Sequence, residues 1–154
     1  MINELHTIIV DMNRPAMYLN SENKNAGFDD YADAVKSSRA YCIETRPEII
    51  PVDVDEKQLR YLPAYREILE CNGDPFLEVA SGGLNSPNRH FYVLVPDIER
   101  RKNLINQLKT VGGAIAVRVN QKIRPPYTPH RDGLNVSTPI NENEFISLVK
   151  EVLV

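Results

Sequence analysis

Cysteine is scarce in this chain of 154 residues: Cys42 and Cys71 are the only two, and neither lies in a C-x-x-C. That leaves no basis for a disulfide scaffold or a cysteine-built zinc site, and it makes reduced thiols in the cytoplasm the expectation. Long apolar runs are also missing. None approaches the roughly 18 residues of a membrane-spanning helix, so no membrane partner is expected. The opening Met1-Ile-Asn-Glu-Leu-His6 has neither the basic nor the apolar region of a secretory leader. No repeat and no low-complexity tract interrupts the sequence. Charge of one sign is lacking too: the formal net charge is −3. A histone-like, strongly basic nucleic-acid binder is thereby excluded, while a local basic cleft is not. Seven glycines against eleven prolines favour fixed loops over floppy ones.

What is present is enough for one domain. An apolar content of 42% and a charged content of 25% belong to an ordinary soluble globular protein with its own core. We read residues 1–154 as a single domain whose motif-bearing core runs over about residues 40–140. Leu5 to Val10 reads as a short strand or helix turn, residues 11–29 as a loop, and residues 30–37 as a short helix. Strands are expected at residues 40–45 and 49–55. A helix follows over residues 57–71, with Pro63 delaying its start or kinking it, and Asn72-Gly73 stops it. Strands at residues 76–80 and 91–95 form a hairpin around Ser81 to His90. Asp97 caps a helix over residues 98–111, closed by Gly112-Gly113, and a strand follows at residues 114–119. After a proline-stiffened loop, Phe145, Leu148, Val149 and Val152 mark one face of a C-terminal helix over residues 142–153. This order predicts an α+β fold: a small, mainly antiparallel sheet with helices packed on one side.

Three motifs carry candidate chemistry. In Ile49-Ile-Pro-Val-Asp53-Val-Asp55, strand alternation puts Asp53 and Asp55 on one face. Two adjacent carboxylates repel and call for a cation or basic partners. Mg²⁺ suits them, because it takes hard oxygen ligands and keeps positions open for phosphate. The plainer reading is a pair of solvated acids at a strand end. In Ser81-Gly82-Gly83 the glycines let backbone N–H groups approach an anion, Ser81 adds a hydroxyl, and Arg89-His90 stands at the hairpin's return. The plainer reading there is a flexible loop. In Arg124-Pro-Pro-Tyr-Thr-Pro-His130-Arg131, three prolines display Arg124, His130 and Arg131 at low entropic cost, and such groups grip phosphate. The alternative is a rigid connector. If the strands are neighbours, the acids hold metal, the basic groups hold phosphates, and the chemistry is nucleotidyl transfer.

These motifs, in this order, resemble those of the archaeo-eukaryotic primase superfamily, in its plasmid and phage primase–polymerase branch. The acidic pair is Asp53-Val-Asp55, the serine–glycine stretch leading to a strand-opening histidine is Ser81 to His90, and the third motif is Val119-Asn120-Gln-Lys-Ile-Arg124-Pro-Pro-Tyr-Thr-Pro-His130. The resemblance spans about residues 49–133. It implies an RRM-like, palm-type core that makes or extends short nucleic-acid strands in the replication of plasmids, phages or mobile elements. It also implies Mg²⁺ or Mn²⁺ on Asp53 and Asp55, and His90 acting with that pair in catalysis. Nucleotide phosphates would meet Ser81, Gly82, His90, Arg124, His130 and Arg131. The implied partners are a (d)NTP, a single-stranded DNA template, and a helicase or other replication protein. Asn120 stands where the third-motif acid is expected, with Glu78 and Asp97 as nearby acids. A catalytically degenerate domain that binds single-stranded DNA or a replication partner is the alternative.

Overall fold

A computed structural model describes residues 3–14, 17–18, 36, 40–111, 116–119, 121–129 and 135–153. Its centre is a four-stranded antiparallel sheet built from β3 (Ile49–Val54), β4 (Phe76–Ala80), β5 (Arg89–Leu94) and β6 (Thr138–Pro139), in the spatial order β3-β5-β4-β6. A separate two-stranded ribbon pairs β1 (Met17–Tyr18) with β2 (Tyr41–Cys42). The described helices are α1 (Glu4–Ile9), α2 (Leu62–Asn72), α3 (Ile98–Lys109) and α4 (Glu142–Leu153). The fold is therefore α+β, as the element order predicts.

Local signals act where the sequence placed them. A 3₁₀ turn over Leu59–Tyr61 leads into α2, which begins at Leu62 with Pro63 in its first turn, where a missing N–H costs nothing. Gly73 ends α2 with φ +74°, and its N–H reaches the Leu69 carbonyl at 3.2 Å. The Asp97 carboxylate accepts from the N–H groups of Glu99 and Arg100 at 2.9 and 3.0 Å, satisfying two orphan donors of α3.

Helices cover both faces of the sheet, not one. Ile50, Val52, Val54, Phe91 and Val93 pack with Tyr65 and Leu69 of α2 and Leu104 and Leu108 of α3. On the opposite face, Ile49, Leu77, Val79, Tyr92 and Leu94 pack with Leu5 and Ile9 of α1 and Phe145 and Val149 of α4. The physical reason is in the strands. His90-Phe-Tyr-Val-Leu94 is almost continuously apolar, and a strand of that kind has to be covered twice.

Of the two readings open for Leu5 to Val10 the helix holds: α1 is capped by the Asn3 side chain on the His6 N–H, and Val10 after it forms a single bridge. The strand at residues 114–119 reduces, over its described part, to one bridge between Val117 and Val52. It still fixes register, because the Arg118 N–H donates to the Pro51 carbonyl at 2.9 Å. The loop and helix read over residues 11–37, the Gly112-Gly113 stop, Asn120, His130 and Arg131 lie wholly or mostly outside the described residues.

Candidate functional site

The end of β3 sets the site. Antiparallel pairing places Asp53 directly opposite His90, and His90 in turn opposite Val79 on β4. Opposed residues share a sheet face, so the two polar side chains meet at the rim of the face covered by α1 and α4. His90 Nε2 lies 3.3 Å from Asp53 Oδ1. The other carboxylate oxygen, Oδ2, receives Arg118 Nη2 at 2.8 Å. Burial pushes the Asp53 carboxyl up. The hydrogen bond and charge of His90, with the charge of Arg118, outweigh burial and hold it below the usual carboxylate value.

Behind His90 stands Tyr92, fully buried, whose hydroxyl donates to the Arg124 carbonyl at 2.8 Å and lies 3.4 Å from His90 Nδ1. Burial pushes the Tyr92 phenol far up, so it stays a neutral donor. Tyr92 thus fixes the start of the proline loop against the sheet. Ser137 fixes the rest. Its Oγ accepts from the Thr128 N–H at 3.0 Å and donates to the Pro125 carbonyl at 2.7 Å. His6 Nε2 adds a third tie by donating to the Pro126 carbonyl at 2.7 Å.

That clamping changes the expected role of Arg124. Instead of being displayed on a surface loop, it is 8% exposed, with its guanidinium donating to the Ser81 and Thr128 carbonyls. It braces the serine–glycine turn against the proline loop. Tyr127 is exposed; it adopts φ +63° and its hydroxyl donates to Glu142.

A pocket of about 440 Å³ opens where these groups converge, lined by Asp53, Asp55, Ser81, His90 and Arg124. Residues from all three motifs are therefore together. Gly82 is not part of the lining. A Cβ at Gly82 would sit 2.7 Å from Ser86 Oγ, so its glycine answers to packing inside the turn. The nearby acids lie elsewhere: Asp97 caps α3, while Glu78 is on the other face, held by Arg66 and Arg89.

Sequence reasoning missed Arg118, Lys122 and Asn88, which also line the pocket. A basic residue between two valines in Ala116-Val-Arg-Val119 was the available signal for Arg118. Its Nε is buried with no hydrogen-bond partner among the described residues, as is Asn88 Oδ1. Cys42 contributes a thiol whose pKa burial pushes up, against the lowering charges of Lys122 and Arg118.

The donor set can be tested against a divalent ion. Both Asp53 oxygens already meet protein donors, and Asp55 Oδ1 accepts from the Lys57 N–H at 3.1 Å. Among the described residues, no group of three or more His, Cys, Asp or Glu side chains is arranged to hold a metal. As arranged, these oxygens make no cage for a hard cation, which demands several open oxygen ligands. What the lining offers instead is a preponderance of cationic groups: Arg118, Lys122 and Arg124 against Asp53 and Asp55. No helix among the described residues is long and apolar enough to cross a membrane. No family model matches the chain, and no curated protein and no solved structure matches it.

Proposed function

We propose that this protein is a primase–polymerase-like domain that works as a binding module: its pocket takes the phosphate of a nucleotide or of single-stranded DNA during plasmid, phage or mobile-element replication. The observation that carries this reading is the convergence of Asp53, Asp55, Ser81, His90 and Arg124, from three separated segments, on one pocket. Its volume of about 440 Å³ lies in the range of small-ligand clefts. Three formal positive charges face two negative ones there, before His90 is counted, which favours an anion. A helicase or other replication protein is the kind of partner such a module serves.

Fluorescence anisotropy with a labelled single-stranded oligonucleotide tests this. Affinity should fall steeply with salt, and a dNTP should compete. Failure to bind either ligand at low salt overturns the reading. Metal-dependent nucleotidyl transfer with Mg²⁺ or Mn²⁺, the activity implied by the resemblance, is the competing reading, favoured by Asp53 and Asp55 sharing the pocket. Primer extension with either ion separates the two. The binding reading expects no incorporation. Incorporation that disappears in the Asp53→Ala, Asp55→Ala double variant establishes the enzyme.

A further inference from the structure

We infer that Arg118 is the pocket's resident cation, standing in the place of a metal ion beside Asp53, and that the pocket recognises a phosphate monoester without any divalent ion. This inference rests on the binding-module reading and names its ligand class. Two observations carry it independently. Arg118 Nη2 lies 2.8 Å from Asp53 Oδ2, while His90 Nε2 lies 3.3 Å from Oδ1, so the acid is neutralised from both sides by protein groups. Arg118 Nε is buried beside them and has no hydrogen-bond partner among the described residues. A guanidinium whose Nη2 is committed to a carboxylate keeps further donors in its planar fork, and with 32% of the Arg118 side chain exposed a small shift can offer these donors, the unmet Nε–H among them, to a second anion. An unmet buried donor is costly, and a phosphate oxygen is a strong acceptor for it.

Charge decides the ligand class. The formal excess in the lining is one positive charge, or two with His90 protonated. A phosphate monoester, carrying about −1.5 to −2 at neutral pH, balances that. A triphosphate brings more negative charge than the lining balances, so a dNTP competes more weakly than a monoester. A divalent ion brings the wrong sign, and Arg118 opposes its approach to Asp53. The monoester has two sources, the 5′-phosphate of a DNA strand and a free nucleoside monophosphate, and both present the same group.

The test measures binding of a short 3′-labelled single-stranded oligonucleotide with a 5′-phosphate or a 5′-hydroxyl, in EDTA and in Mg²⁺. The expected result is a preference of about tenfold for the 5′-phosphate, as one charge-assisted hydrogen bond supplies, equal in EDTA and in Mg²⁺. Competition by dAMP that abolishes the preference makes the free nucleotide a ligand as well; competition only by the phosphorylated strand assigns the pocket to strand ends. Arg118→Gln, which keeps part of the side chain's length without its charge, should erase the preference, so that both strands bind the variant equally and more weakly than they bind the wild type. Arg118→Asp should erase it too and should create Mn²⁺ binding, read by electron paramagnetic resonance, because it sets a third carboxylate beside Asp53 and Asp55. Equal binding of the two strands overturns the inference but leaves the binding module standing. So does a preference that needs Mg²⁺, or one that survives Arg118→Gln in a folded variant. No binding of any strand overturns both.

Discussion

Asp53 and His90 face each other in register across β3 and β5, with His90 Nε2 3.3 Å from Asp53 Oδ1. The same acid is gripped by Arg118 from outside the sheet. The end of β3 is therefore a charge-balanced joint, and its balance depends on pH. His90 and Arg118 hold the folded Asp53 carboxyl below its ordinary value, against the opposing push of burial. A carboxylate with a depressed folded-state pKa contributes stability above its unfolded value of about 3.9 and loses it as pH falls through the folded value. Asp53→Asn should cost roughly 1–3 kcal/mol at pH 7, because it strips the countercharge from Arg118 and alters the contact with His90. Below about pH 4 the gap between wild type and variant should close. Urea unfolding at several pH values measures this. A gap that persists unchanged into acid contradicts the pairing.

Glu78 is a second joint, on the opposite face. Its side chain is 9% exposed, and it accepts from Arg66 at 2.9 Å and from Arg89 at 3.3 Å. Glu78→Gln should cost about 3 kcal/mol, as breaking a buried pair does, and should leave oligonucleotide affinity unchanged. Chemical denaturation and anisotropy together check both halves. Lost affinity in a folded Glu78→Gln protein would assign this acid to the site after all.

The serine–glycine turn makes a different kind of statement. Gly82 has Ser86 Oγ 2.7 Å from where a Cβ would stand. Gly82→Ala should therefore cost about 1–3 kcal/mol by overpacking and weaken strand binding through displaced Ser81. Adding Ser86→Gly should restore most of both losses, since it removes the atoms in the way. A double variant no better than the single would show that Gly82 meets the ligand itself.

Much of this site was legible along the chain, and the reason is period. Strand alternation alone puts Asp53 and Asp55 on one side, and the hairpin around Ser81 to His90 brings the histidine back toward them. Arg118 was not legible. Its place comes from one bridge, Val117 to Val52, between segments far apart in sequence, and no local pattern announces such a pairing. Arg124 was found but its setting was not, because the proline loop's burial depends on Tyr92, Ser137 and His6 arriving from three other elements. The second helical layer escaped for the same reason. The apolar residues of α1 and α4 come from the two ends of the sequence and gather on one sheet face. The strand at Thr138–Pro139, two residues long and holding a proline, gives almost no signal of its own.

The central claim is that an anion binds in the pocket at the end of β3. Backbone amide chemical shifts, followed by NMR as a 5′-phosphorylated oligonucleotide is added, test it most directly. The expected shifts cluster at Ser81, His90, Arg118, Lys122 and Arg124, and at equal ligand they shrink to those of the 5′-hydroxyl strand when Arg118 is replaced by Gln. Shifts confined to α2 and α3, or no shifts at low salt, would contradict the account.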